Sequence, residues 1–407
     1  PLMSLDAIAV WARIKGLTLE GTAECTHKEW FAASRRRLEP AGNGFLRLRT
    51  PPRPESEPLR GFPAGCDDVH FILSGELSFI FPKKGRLRRI HLLLLAPDLA
   101  AAGRINRRLA GRGKLASDGR PVLGMDAADF VRMAADLVPE AAVVPCHVWT
   151  PWYSLFGSAS GFDAVEDCFE EMSSWIFALE TGLSSDPAMN RRVSALDRYA
   201  LVSCSDAHSP AKLGRESLAV EADFGYRGLL DAVRSRDPAR FLYTVELFPE
   251  EGKYHFDGHR KCGIRLSPRE ARRRGGLCPV CGRKLTIGVL HRLEDLADRP
   301  KPPHAPSGVP FKRLVPLDEI LGQVLGRPAN SRRVEEAYFR LVRELGDEHH
   351  ILTRVPAADL ERQGPAGIGR VVERVRRGLV RVEPGSDGVY GTVRILPARG
   401  GRGAVRA

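Results

Sequence analysis

Strand-like and helix-like runs alternate from residue 1 to about residue 248 of this 407-residue chain. That alternation limits the fold more than any other feature, because a strand–helix succession closes most simply into a parallel sheet covered by helices. Leu5 to Ile14 has helical spacing, with Leu5, Ile8, Ala9 and Trp11 on one face, and Leu17 to Thr22 reads as a strand. A helix leading directly into a strand is half of a βαβ unit, whose first strand would lie before Pro1. Further strand-like runs are Val69 to Leu73, Ala141 to Cys146, Trp175 to Leu179, Tyr199 to Ser203 and Arg240 to Val245. Helices are expected near 27–38, 98–109, 126–137, 162–172 and 226–234. Lys83, Lys84, Arg86, Arg88 and Arg89 decorate what reads as a hairpin.

Residues able to bind metal fall at the ends of these runs: Glu24, His27, Glu76, His91, His147, Glu180, Asp206 and His208. A carboxylate and a neutral imidazole delivered into one space suit a divalent cation. An isolated Asp-x-His is more simply a turn, and a lone His in an apolar strand is usually a core residue. Their accumulation favours a multinuclear metal site, since β/α barrels place their active sites at the C-terminal ends of the strands. Paired cations suit in-line phosphoryl displacement, so a phosphoesterase is expected. The loop after His147 holds Trp149, Trp152, Tyr153 and Phe156. On composition alone it fits a hydrophobic plug as well as a platform for unpaired bases.

The formal net charge is +12, and Arg far outnumbers Lys. Such a balance favours a polyanionic partner, nucleic acid before membrane. There is no apolar span of about 18 residues, so a cytoplasmic, non-membrane protein is the default expectation. Eight cysteines do not form a secreted disulfide pattern. His259-x2-Cys262 and Cys278-x2-Cys281-Gly282 match the paired knuckles of a zinc ribbon, with His255 as an alternative to His259. Arg260 and Lys261 beside them are placed for phosphates. A Pro-rich linker, residues 298–310, precedes helices near 317–325, 331–345 and 368–377. Gly364 to Gly369 reads as a turn between helices, whose amides are of the kind that hold a phosphate, although an ordinary loop is the simpler reading. A closing hairpin over Val380 to Tyr390 and a disordered tail follow. The expected divisions are 1–248, 249–297 and 298–407.

The chain resembles the endonuclease Q family of DNA-repair enzymes, which carry a polymerase-and-histidinol-phosphatase domain. The resemblance rests on Ser117-Asp-Gly-Arg-Pro-Val-Leu-Gly-Met-Asp126, His147 to Gly157, Ala178 to Asp186, Ser203-Cys-Ser-Asp-Ala-His-Ser209, and Phe248 to Cys262 with Cys278 and Cys281. It implies an α/β fold: a distorted β/α barrel of that type with its first strand missing, then a zinc module and a helical C-terminal domain. It implies nicking of damaged DNA, double- or single-stranded, on the 5′ side of uracil, hypoxanthine, xanthine or an abasic site. Glu76, His91, His147, Asp206 and His208 then match metal-ligand positions, His27 fits as well, and Glu24 stands where the family tends to Asp. Glu180, Asp206 and His208 are the expected catalytic groups. Two or three divalent metals (Zn, Mn or Mg) and one structural zinc on His259, Cys262, Cys278 and Cys281 are the implied cofactors. Lys83, Lys84, Arg88, Trp149, Trp152, Tyr153, Arg260 and Lys261 are the expected DNA contacts. A monomer is the default, and a sliding clamp is an open partner. The family opens with a His-x-His strand that this chain lacks, so a fragment of a longer product is expected. Another phosphoesterase of the same domain class, or a catalytically crippled DNA-binding relative, is the alternative.

Overall fold

A computed structural model describes residues 3–52, 68–117, 119–303 and 308–395. The expected tail, the middle of the Pro-rich linker and Asp118 lie outside the described residues. The main sheet contains β1 (Leu19–Gly21), β2 (Leu38–Pro40), β3 (Leu46–Leu48), β4 (His70–Lys83), β5 (Arg86–Ala96), β6 (Val122–Leu123) and β7 (Ala142–Pro145). Its path runs β2-β3-β4-β5-β7, with β1 and β6 both pairing with β4.

The sheet is mixed, which corrects the expected parallel architecture. Lys84 and Gly85 join β4 to β5 with φ of 50° and 70°. Two successive positive φ values match the right-handed twist of the flanking strands, so the strands fold back on each other instead of crossing over. β4 and β5 are antiparallel from Leu73–Ala96 to Lys83–Arg86, and β5 is antiparallel to β7. β1 and β6 pair with β4 in parallel. Glu76 therefore sits in mid-strand and not at a strand end.

Smaller sheets follow. β8 (Ala178–Glu180) and β9 (Ala200–Val202) are parallel. β10 (Ser217–Val220), β11 (Phe241–Glu246) and β14 (Phe311–Arg313) form a three-stranded sheet, and β12 (Asp257–His259) pairs with β13 (Ile264–Leu266). β15 (Arg381–Glu383) and β16 (Thr392–Arg394) form the closing hairpin. The helices Leu99–Leu109 and Ala127–Leu137 begin where Asp98 and Asp126 accept backbone amides, a favourable start for a helix.

The C-terminal region is helical: Leu317–Leu325, Arg332–Leu345, Glu348–Thr353, Ala357–Gln363 and Ile368–Arg376. Val334, Tyr338, Leu341 and Val342 bury one face of the longest helix. The first helix of the chain, Leu5–Lys15, is welded to this region. The Lys15 ammonium donates to Glu348, which also accepts from the Tyr338 hydroxyl and, at 3.0 Å, from the Leu317 amide. Lys15, Tyr338 and Glu348 are all buried. Among the described residues no helix is long and apolar enough to cross a membrane.

Candidate functional site

The two-residue period of a strand decides which side chains meet. Leu77 and Phe79 of β4 and Ile90, Leu92 and Leu94 of β5 point into the core. Glu76 and His91 therefore share the other face. Ser78 pairs with His91 and Glu76 with Leu93, so Glu76 and His91 are diagonal neighbours. Glu76 Oε1 lies 3.1 Å from His91 Nδ1. β7, on the far side of β5, runs on into Cys146 and His147, and His147 Nε2 lies 3.0 Å from His91 Nδ1. Glu180, at the end of β8, accepts the His147 amide at 2.7 Å and lies 3.7 Å from His147 Nδ1. The ligand-type atoms of Glu76, His91 and His147 lie within 4.8 Å of one another, as do those of Cys146, His147 and Glu180. Glu76, His147, Glu180 and Asp206 all line one cavity of about 750 Å³.

Asp206 joins through a residue that sequence reasoning passed over. Arg120 Nε is 2.6 Å from Glu76 Oε2, and its Nη2 is 2.6 Å from Asp206 Oδ1. One guanidinium fork thus holds two carboxylates from distant elements. Its position in the Ser117–Pro121 loop was the available signal. Burial alone would raise the Glu76 carboxyl, but His91, His147 and Arg120 overcome it and hold the group at about 2. Burial lowers the His91 imidazole despite Glu76. Burial also opposes protonation of His147, yet Glu180 and Glu76 together raise it. The backbone is unusual here as well. Ala23, His147, Tyr153 and Asp206 have φ of 65°, 32°, 59° and 43°. Such non-glycine conformations cost roughly 1–3 kcal/mol each and gather at functional sites.

The other proposed ligands are not members of these close groups. His208 is largely exposed, with Nδ1 2.9 Å from the Asp206 carbonyl and 3.9 Å from Asp206 Oδ1. His27 caps the helix Lys28–Arg37: its Nδ1 accepts the Trp30 amide at 3.4 Å, and its Nε2 lies 3.3 Å from the Ala116 carbonyl. Glu24 forms a backbone bridge with Gly75.

Three expected DNA contacts are buried or engaged by partners within the fold. Lys83 is held by Asp126, Glu170 and the Cys168 carbonyl. Arg88 is 7% exposed, bonds to the Gly161 carbonyl and lies 4.2 Å over the Phe162 ring. Trp149 is 1% exposed, and its indole N–H donates to Asn190 at 2.7 Å. These partners are remote in sequence, so the pattern of residues 83–89 could not reveal them. Lys84 stays exposed beside Asp167, and Arg260 and Lys261 are exposed. The aromatic loop divides: Trp149 and Phe156 are a plug, whereas Trp152 reaches the surface and the Tyr153 ring packs 4.7 Å from His91.

His259, Cys262, Cys278 and Cys281 form a third ligand group, also within 4.8 Å. β12 ends at His259, and Gly282 (φ 68°) lets its own amide reach back to the Cys278 carbonyl at 2.9 Å. His255 is not in this group; it is buried and stacked on Phe256. The turn amides of Gly367 and Gly369 donate to the Glu361 carboxylate at 2.5 and 3.0 Å.

Residues 316–379 match the family model of the MJ0043 C-terminal domain. The whole fold superposes on the crystal structure of the novel lesion-specific endonuclease PfuEndoQ from Pyrococcus furiosus. The TM-score is 0.80 at 28% identity, covering 97% of this chain and 92% of that one. It also superposes on an endonuclease Q in complex with a 27-mer duplex substrate with an abasic lesion at the active site. There the TM-score is 0.81 at 28% identity, covering 97% of this chain and 93% of that one. The chain is similar to endonuclease Q over nearly its whole length. The MJ0043 protein of Methanocaldococcus jannaschii is 29% identical over 259 residues, 62% of this chain; the match spans only 32% of that relative's length.

One glycine sets the position of His147. Gly182 has φ of 67°, and a Cβ there would lie 2.5 Å from the His147 Cβ and 2.7 Å from its Cα. Gly182→Ala is expected to displace His147 and to cost roughly 1–3 kcal/mol through backbone strain. Urea unfolding measures the cost, and an unchanged midpoint would contradict this packing.

Proposed function

We propose that this chain is a metal-dependent DNA-repair endonuclease, which nicks on the 5′ side of a deaminated base or an abasic site. The observation that carries the reading is the Glu76–His91–His147 group beside the cavity, in a fold alike over nearly its whole length to endonuclease Q. In this reading residues 1–248 form a distorted barrel of the polymerase-and-histidinol-phosphatase type, 249–297 the zinc module and 298–407 the helical part of the DNA surface.

The donor set fits divalent cations. It combines imidazole with carboxylate, and the buried Glu76 Oε1 faces His91 Nδ1 at 3.1 Å without a hydrogen bond of good geometry. Glu76, His91, His147 and Asp206 would hold them, with Glu180 fixing His147 through its amide. Bound there, cations supply positive charge to a phosphodiester and make water a better nucleophile. The protein's own part is to keep the Glu76 carboxylate anionic, to orient the two imidazoles and to hold a lesion-bearing strand. A mispaired or missing base costs least to unstack, which favours extrusion of the damaged nucleotide. The test is nicking of 5′-labelled duplexes containing one uracil, hypoxanthine or abasic site, with Mg²⁺ or Mn²⁺. It is run on this chain and on a form carrying an N-terminal His-x-His strand. Cuts just 5′ of the lesion support the reading, and failure of both forms overturns it.

Arg120 favours a second reading, DNA binding without cleavage, because its guanidinium already neutralises Glu76 and Asp206. Metal content separates the two. The endonuclease reading expects two or three cations beyond the zinc, and the second expects zinc alone.

The His259–Cys262–Cys278–Cys281 group is assigned one structural zinc. Apparent zinc affinities of such modules are about 10–16 kcal/mol, so the metal and the local fold form together. Cys278→Ser is expected to release that zinc and to remove amide protection from residues 257–286. Protection that survives without zinc would contradict the assignment.

A further inference from the structure

Two of the large side chains left at the surface are Trp152, 39% exposed, and Tyr390, 67% exposed. They are far apart in the sequence but meet around one segment. Trp152 precedes Tyr153, whose ring packs on His91. The Trp152 ring meets Tyr254 edge-on at 5.7 Å. Lys253 Nζ stands 5.8 Å from the Tyr254 ring centre and 5.7 Å from that of Tyr390.

Backbone bonds fix the arrangement. The amides of Gly385, Gly388 and Gly391 donate to the carbonyls of Glu250, Lys253 and Glu251 at 2.8, 2.8 and 3.0 Å. The Arg260 amide donates to Asp387 at 2.5 Å. The Arg260 guanidinium also reaches this turn: a Cβ on Gly388 would lie 3.6 Å from Arg260 Nη1 and 3.9 Å from the Tyr254 hydroxyl. Three rings and two cations, drawn from three segments, thus share a surface next to the metal-capable group.

A single exposed ring needs no explanation, but a fixed group of them beside exposed cations does. Ring faces take nucleobases by stacking, and neighbouring Lys and Arg take the flanking phosphates. The +12 formal charge favours the same class of partner.

We propose that Trp152, Tyr254 and Tyr390 form a stacking platform for an unpaired nucleobase, with Lys253 and Arg260 holding its phosphates. The closing hairpin β15–β16 is then part of the substrate surface. The proposal deepens the nucleic-acid reading given above and rests on it. It singles out Tyr390, which lies on an exposed turn remote in sequence from every candidate ligand.

The test uses the whole chain with calcium as the only added divalent cation. The probes are a single-stranded oligonucleotide with one 2-aminopurine, and an abasic duplex with 2-aminopurine beside the lesion. Binding should quench the fluorophore. Tyr390→Ala and Trp152→Ala should each weaken single-strand binding by about tenfold and relieve the quench, while Tyr390→Phe keeps both. Unchanged melting temperatures show that the exposed substitutions leave the fold intact. Wild-type quench and affinity in both alanine variants would overturn the platform. So would equal competition by a polyglutamate peptide, which would make the surface a general anion face. Quenching that depends on Tyr390, where neither this chain nor the form carrying an N-terminal His-x-His strand nicks a lesion, would sink the endonuclease reading and support the platform.

Discussion

A His147→Ala protein should bind an abasic duplex as the unaltered chain does, yet nick it at least about a hundredfold more slowly, the order of loss seen when a metal-site group is removed. His147 stands between the two ligand-type groups, with His91 and Glu76 on one side and Glu180 and Cys146 on the other. Removing its imidazole takes a donor from both. The exposed cations Lys84, Lys253 and Arg260 are untouched, so affinity should hold. Asp206→Ala removes an anion that Arg120 now neutralises, and it should likewise spare binding while lowering nicking. Filter binding and single-turnover nicking on the same duplex separate these effects. Nicking at the wild-type rate by His147→Ala would move the catalytic centre elsewhere.

Glu348→Ala should destabilise the fold by about 3–5 kcal/mol, the usual cost of stranding one member of a buried ion pair. The substitution leaves the Lys15 ammonium buried and deprives the Tyr338 hydroxyl and the Leu317 amide of their acceptor. Burial alone would raise the Glu348 carboxyl, but Lys15 outweighs it and lowers the group below its usual range. A depressed carboxyl stabilises the fold at pH values above the unfolded value near 4.3, and this contribution is lost as pH falls through the lower folded value. Urea midpoints at pH 7 and pH 3 measure both effects. Lys15→Met combined with Glu348→Met should recover part of the loss, because apolar replacement of both partners removes the stranded charge.

The sequence reveals most where local chemistry acts alone. Helices begin at Asp98 and Asp126 because a carboxylate caps an amide two or three residues away. The Cys-Pro-Val-Cys-Gly knuckle is local for the same reason. The hairpin of β4 and β5 was visible only at its turn. Its length, and hence the mid-strand place of Glu76, depends on pairing with β1, β3 and β6, which no local pattern encodes. The fates of Lys83 and Arg88 depend on Asp126, Glu170 and Gly161, so a basic run that reads as a phosphate surface is partly spent inside the fold. His91 was read from its strand as a core residue and from its setting as a ligand. The diagonal to Glu76 puts it in the metal-capable group, and that diagonal exists only once the register is known.

β14 follows the Pro-rich segment yet pairs in parallel with β11, and Arg313 Nε bonds at 2.9 Å to the buried carboxylate of Asp186. The stretch that reads as a tether between two parts is therefore anchored to the first part before the helical region begins. Such anchoring shortens the free tether between the two parts. If the helical region grips the duplex while the Glu76–His147 end cuts it, the distance from damage to nick is set by the protein. Uracil, hypoxanthine and an empty sugar should then all be cut at the same offset.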